Sequence, residues 1–254
     1  MIYMKCKQII LLFLSIALLS CNSKSENELD VFPRIAEMNI PNPFVIDTGI
    51  FMLSNTKQAI FAYGNLQYNR KDKKYRFASH QYDFIESNNA GWDDLFEWGN
   101  YLVDSILVDS FWRTPSLQEM DYILFQRPNA VKLLAYININ SVNGLLLLPS
   151  LKNDSAVFYA NKYNIRPSTK SFTANSLTLQ QWQKLESKGA VFLPAAGYRG
   201  SKRKSINKLG SYWTSTSDAS NTAYKLSFEE DVLMTRPPFY RNYHYSVRLV
   251  KDMK

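Results

Sequence analysis

The chain has 254 residues, 46% of them apolar, which is enough to bury a sizeable core without disulfide staples. It carries 30 Lys+Arg against 22 Asp+Glu, a net charge of +8, with only two cysteines and two histidines. So few thiols and imidazoles argue against a structural zinc or a histidine-rich iron centre.

The N-terminus sets the compartment. Met4-Lys5-Cys6-Lys7 precedes an apolar stretch over residues 9–19, and Leu18-Leu19-Ser20 precedes Cys21. A spanning helix needs about 20 apolar residues, so this stretch is short for one. Its basic flank and small-residue exit read as a cleaved export signal over residues 1–20. The cysteine at the exit makes it a lipoprotein signal, with Cys21 as the lipidated first residue. A diacylated, N-acylated cysteine (palmitate is a typical chain) exceeds the two anchors that stable membrane attachment requires. The plain alternative is an ordinary signal peptide with an incidental cysteine. On the first reading the protein is an outer-membrane lipoprotein, facing the periplasm or the cell surface, with the membrane as its first partner. Cys6 leaves with the signal and Cys21 is capped, so no free thiol and no disulfide remain.

Export also removes nucleic acid from the partners that a basic chain would suggest. The positive charge is split between Arg70-Lys71-Asp72-Lys73-Lys74 and Lys202-Arg203-Lys204. Both runs read as solvated loops, the functional alternative being attraction to acidic glycans or an anionic surface.

Residues 21–43 are polar without sustained periodicity and read as a tether. After Pro41 and Pro43 the chain becomes dense in apolar and aromatic residues, and a single domain over 44–254 is expected. Short apolar runs at 50–53 and 59–63 read as strands. The runs 65–68 and 75–78 flank the charged turn at 71–73 as a hairpin would. Ser116-Leu117-Gln118-Glu119 is a capping-box pattern after Pro115, followed by an apolar face of Leu117, Met120, Ile123 and Leu124. The run 142–148, ended by Pro149, reads as a buried strand. Thr178-Leu179-Gln180-Gln181 opens a second helix, with Leu179, Trp182 and Leu185 as its stripe and Gly189 as its stop. Tyr224, Leu226 and Phe228 alternate with polar residues, as do Tyr245, Val247 and Leu249 around Ser246 and Arg248. Such alternation predicts half-buried antiparallel strands. The fold class is α+β: two helices packed with short, twisted, mostly antiparallel strands and long loops.

Several strings fall in a familiar order. They are Phe61-Ala62-Tyr63-Gly64-Asn65-Leu66-Gln67-Tyr68, Gly91-Trp92-Asp93-Asp94-Leu95-Phe96-Glu97-Trp98-Gly99 and Trp112-Arg113-Thr114. Then come Val142-Asn143-Gly144-Leu145-Leu146-Leu147-Leu148-Pro149, Gly189-Ala190-Val191-Phe192-Leu193-Pro194-Ala195-Ala196-Gly197-Tyr198-Arg199, Gly210-Ser211-Tyr212-Trp213-Thr214-Ser215-Thr216 and Tyr245-Ser246-Val247-Arg248-Leu249-Val250. Over nearly all of residues 50–250 the chain resembles the Fibrobacter succinogenes major paralogous domain of exported Bacteroidetes proteins. The resemblance implies a C-type-lectin-like fold, distantly related to the formylglycine-generating sulfatase-modifying domain. The family has no well-settled activity, so the resemblance implies a fold more firmly than a function.

Chemistry is thin. Formylglycine generation needs cysteines, and none follows Cys21. His80 and His244 are far apart and neither lies in a Gly-x-Ser-x-Gly context, so no serine triad is expected. Asp93-Asp94 and Glu229-Glu230-Asp231 are the carboxylates a hydrolase would use, but neighbours on a strand point to opposite faces. Asp93 also reads as a cap for residues 95–101, and 229–231 as a strand-end turn. No calcium-dependent sugar motif, dinucleotide loop or phosphate loop is present. No catalytic residue, metal or cofactor is assigned.

A contact surface remains. The chain holds 16 Tyr, 15 Phe and 5 Trp. Trp92, Trp98, Trp112, Trp182 and Trp213 read as core. The segment Thr235-Arg236-Pro237-Pro238-Phe239-Tyr240-Arg241-Asn242-Tyr243-His244 is stiffened by two prolines and mixes aromatics with arginines, as contact surfaces do. Arg236, Phe239, Tyr240, Arg241 and Tyr243 are the candidate ligand-binding residues; the alternative is a packed hairpin with no partner. The expected function is a non-catalytic envelope module that binds a glycan or protein. A structural or fimbria-associated assembly role is the alternative, and a hydrolase using Asp or Glu the weaker one.

Overall fold

A computed structural model describes residues 49–86, 91–100, 112–150, 154–167, 169–218, 221–235 and 237–253. The expected signal, Cys21, the tether and Arg236 lie outside them.

The fold is α+β, dominated by short strands. Phe51–Met52, Gln58–Phe61, Val250–Asp252 and Trp112–Arg113 form one antiparallel sheet in that order. Beginning and end of the domain are thus paired. Leu66–Asn69 pairs with Lys74–Phe77 as the expected hairpin, and Trp92–Asp93 extends it. Asn69 Oδ1 accepts from the Lys71 and Asp72 amides, and Lys73 takes a left-handed φ of 51°. That is how an asparagine closes a tight turn.

A four-stranded sheet runs Ser176–Leu177, Leu134–Ile139, Val142–Leu147, Val191–Pro194. Its central hairpin turns through Asn140 and Ser141, both at positive φ. Alternate side chains of this hairpin enter two different cores. Tyr136, Leu145 and Leu147 pack with Phe51, Phe172 and Phe228 on one side. Ala135, Ile137, Leu146 and Leu148 pack with Trp182 and Phe192 on the other. Burial on both faces explains why residues 144–148 read as an unbroken apolar run.

Both predicted capping boxes form. Ser116 and Glu119 exchange hydrogen bonds at the start of α1 (Leu117–Asp121). An additional helix, α2 (Asp154–Lys162), is hard to read in the sequence because its fully buried described residues are Ala156 and Ala160, with Val157 and Tyr159 partly buried, while Phe158 faces solvent. In α3 (Leu179–Glu186), Thr178 and Gln181 make the box, and Gly189 at φ 82° follows the end. The first helix was expected to continue to residue 124. Instead it widens into a π turn over Tyr122–Gln126, where the Arg127 amide reaches Tyr122 O at 2.8 Å.

Gly210–Ser217 pairs with Thr222–Glu229, which pairs with Val232–Met234 at one end and Phe239–Tyr240 at the other. Consecutive residues again serve opposite cores: Tyr212 joins Phe228 and Leu226, whereas Trp213 joins Ala223, Tyr245, Val247 and Leu249. The half-buried strand expected over 245–249 is not found. Only His244–Tyr245 and Val250–Asp252 are strands, and every residue from 245 to 250 is buried, Ser246 and Arg248 included. The segment runs between packed layers, so its polar positions have no water to face.

Candidate functional site

The predicted contact segment lies where the last strands converge. Phe239 pairs with Ala223 and Tyr240 with Thr222, which fixes Phe239–Tyr240 along the edge of the Thr222–Glu229 strand. Phe239 is 37% exposed and Tyr240 63%. Large apolar rings held open to solvent mark contact surfaces when they cluster. Here they cluster: the Tyr243 ring meets Phe239 edge-on at 5.1 Å and lies nearly parallel to Tyr245 at 6.3 Å. Tyr198 comes within 6.1 Å of Tyr243. Beneath them, buried Tyr245 packs on Trp213 at 4.6 Å. The rings are graded from core to solvent.

Arg241 holds this surface in place. Its Nε donates to Thr222 O at 3.1 Å and its Nη2 to Asp218 O at 2.9 Å. The guanidinium stands 4.4 Å above the Trp98 ring, whose Nε1 donates to Thr214 O at 2.9 Å. An arginine with its donors on backbone carbonyls and its face on an indole is a brace. Among the predicted residues, Phe239, Tyr240 and Tyr243 form the exposed surface, Arg241 supports it, and Arg236 falls outside the described residues.

Lys225 was read as a solvent-facing residue of an alternating strand. It is instead half-buried under the aromatic patch, with Nζ 4.9 Å from the Tyr245 ring centroid and 5.2 Å from that of Phe239. Among the described residues its ammonium has no hydrogen bond or ion pair. Burial lowers its pKa to about 8, against a small opposing effect of Glu229.

The basic segment 202–204 joins the same neighbourhood. Arg203–Lys204 pairs with Tyr198–Arg199, and Arg199 pairs with His244, which pairs with Glu97. A solvated loop was expected, yet Arg203 donates to Asp94 at 2.9 Å and to Ala196 O at 2.7 Å. Asp93 meets Arg199 at 2.6 Å and Arg70 at 3.3 Å. Burial pushes the Asp93 carboxyl up, but the Arg199 hydrogen bond and charge win and hold it below the usual range. Asp93 Oδ1 accepts from the Leu95 amide in a turn, and the described residues 95–100 form no helix for it to cap. With each carboxylate engaged by an arginine, Asp93 and Asp94 form a structural ionic cluster.

Glu229 and Glu230 behave differently from the expectation of opposite faces. The strand ends at Glu229 and turns through Asp231 at φ 65°, so both glutamates border one open cleft of about 660 Å³ with Asn143, Thr173, Asn207 and Lys208. Ser171 Oγ donates to Glu230 at 2.9 Å. His80 pairs with Asp83 at 3.0 Å and stacks on Tyr82, while His244 Nε2 lies 3.5 Å from Glu97. No group of three His, Cys, Asp or Glu among the described residues is placed to hold a metal ion. Trp112, Trp182 and Trp213 are buried; Trp92 and Trp98 instead lie partly exposed beneath Arg76 and Arg241.

Sequence reasoning missed Tyr198, Lys225 and Tyr245 as parts of the patch. Period-two patterning assigns a residue to a face but does not say what covers that face. A family model described as a domain of unknown function, DUF8237, matches residues 149–250, a stretch that contains the whole ring cluster. No curated protein and no solved structure matches the chain.

Proposed function

We propose that this chain is a cell-envelope lipoprotein, anchored through Cys21, whose C-type-lectin-like domain binds a glycan without catalysis. The observation that carries this reading is the patch of Phe239, Tyr240 and Tyr243. These rings sit on a strand edge braced by Arg241 and Trp98, and are backed by the buried Tyr245 and Trp213. Flat aromatic faces stack on the C–H faces of pyranose rings, and a rigid platform loses little entropy on binding. Paired capped helices beside short antiparallel strands fit the proposed fold.

The test is a glycan array probed with the full-length chain in detergent, wild type beside Tyr240→Ala and Phe239→Ala. Binding that falls tenfold or more in both variants, with unchanged thermal unfolding, supports the reading. Equal binding by wild type and variants removes the patch from it, and protease shaving of intact cells separately decides between surface and periplasmic display.

A further inference from the structure

The glycan reading leaves the sign of the ligand open, and Lys225 supplies it. A half-buried ammonium ordinarily acquires a carboxylate or several acceptor oxygens, because desolvating a charge is costly. Lys225 has neither among the described residues. Its nearest recorded neighbours are the faces of Tyr245 and Phe239, at 4.9 and 5.2 Å. Ring quadrupoles attract a cation but satisfy none of its three N–H donors.

The position matters as much as the missing partner. Phe239, one of the two rings flanking the ammonium, is itself a member of the exposed platform. A sugar seated against Phe239 therefore lies beside an ammonium 5.2 Å from that ring's centre. The surroundings favour the same charge. Arg241 stands beside the platform over Trp98, and the chain carries a net charge of +8. The acid whose charge reaches Lys225, Glu229 on the same strand, forms no ion pair with it among the described residues, and Asp93 and Asp94 are taken up by Arg199 and Arg203. The lowered pKa of Lys225 is consistent with an ammonium waiting for a counter-charge, since an anion seated beside it would raise the value again.

We infer that the patch takes an anionic pyranose, seated against Phe239 with the Tyr240 ring standing at 75° beside it, and its carboxylate or sulfate hydrogen-bonded to Lys225 Nζ. This rests on the glycan-binding reading above and adds the chemical class of the ligand. The same chemistry occurs in uronic acids and in sulfated sugars, and the experiment separates them.

Four probes serve: oligogalacturonate, the same oligosaccharide with its carboxyls reduced to hydroxymethyl groups, a sulfated dextran oligosaccharide, and unsulfated dextran. Titration calorimetry with the full-length chain in detergent is run on wild type, Lys225→Met and Lys225→Arg. The expected result is that one anionic probe binds at least tenfold tighter than its neutral counterpart. That preference is expected to vanish in Lys225→Met and persist in Lys225→Arg. Which anionic probe wins assigns carboxylate or sulfate. The paired probes need no variant, so poor folding of a substituted chain leaves the test intact. Equal affinity for charged and neutral probes overturns the inference while keeping the glycan reading. A preference that survives in Lys225→Met moves the anion site elsewhere and also overturns it. Failure of every probe, and of the array, overturns both.

Discussion

The guanidinium of Arg248 donates to the backbone carbonyl of Phe192 at 2.9 Å, joining the C-terminal segment to the sheet that carries α3 at its back. Its other donors reach Ala62 O, Tyr63 O, Asn65 Oδ1 and Gln81 Oε1, so one side chain ties three stretches of chain together. No carboxylate among the described residues is hydrogen-bonded to it, although the charge of Glu186 acts on it from further off. Burial lowers its pKa to about 10, yet that leaves it charged at neutral pH. Arg127 repeats the device on a smaller scale, donating to Leu148 O and Leu133 O.

Removing this tie is expected to be costly. Arg248→Ala strands several buried carbonyls, each unsatisfied polar group costing about 1–3 kcal/mol. We expect a loss of about 3 kcal/mol or more in urea denaturation. Arg248→Lys should fall between, because three tetrahedral donors do not reproduce the planar fork. A change below about 0.5 kcal/mol in Arg248→Ala would show that the carbonyls find water.

Glu119 predicts the acid limb of stability. It accepts from Arg113 at 2.7 and 2.8 Å, from Lys57 at 2.9 Å, and from the Ser116 amide in the capping box. Burial raises its pKa, but Arg113 and Lys57 outweigh it, and the folded value falls from 4.5 to about 2. A carboxyl with a depressed folded pKa contributes stability above its unfolded value and loses it as pH falls through the folded one. We therefore expect a loss of about 2–3 kcal/mol between pH 5 and 2, largely absent in Glu119→Gln. Chemical denaturation across that range checks it.

Lys225 predicts the opposite limb. Its folded pKa of about 8 lies below the ordinary 10.5, so the folded state binds fewer protons between the two values. The cost of burying the charge is fully present below pH 8 and is relieved as pH rises to about 10.5. The groups facing it are the rings of Tyr245 and Phe239, and the one charge acting on it is that of Glu229 on its own strand. Lys225→Met should stabilise the ligand-free protein at pH 7 by about 1–2 kcal/mol. That gain should shrink above pH 9, as measured by thermal unfolding.

Gly144 is expected to tolerate no side chain. A Cβ there would lie 2.4 Å from the Phe192 ring and 2.5 Å from Leu193 O. The carbonyl belongs to a paired strand and cannot retreat cheaply. Gly144→Ala should cost about 1–3 kcal/mol. Wild-type stability in that variant would mean that Phe192 changes rotamer without penalty.

Local signals in the sequence carried far. The two capping boxes, the hairpin closed by Asn69 and Lys73, and the left-handed Gly189 were legible because each depends on residues within a few positions of one another. The aromatic segment 239–243 was legible for the same reason, being compositionally unlike its surroundings. Helix α2 was not, because alanines bury a face without marking it, and neither was the π turn after α1.

The polar residues of the last strands show where such reading ends. Period two placed Lys225, Ser246 and Arg248 outward, and all three face protein. By itself the sequence determined the capped helix starts, the first hairpin and the alternation of the Thr222–Glu229 strand, since those follow from backbone geometry and nearest neighbours. Only the tertiary structure decided that both faces of the Thr222–Glu229 strand are covered. Burial is a property of what packs against a surface. That covering turned a surface lysine into an ammonium held between rings, and the packing around residues 245–250 made Arg248 the tie to Ala62, Tyr63, Asn65, Gln81 and Phe192.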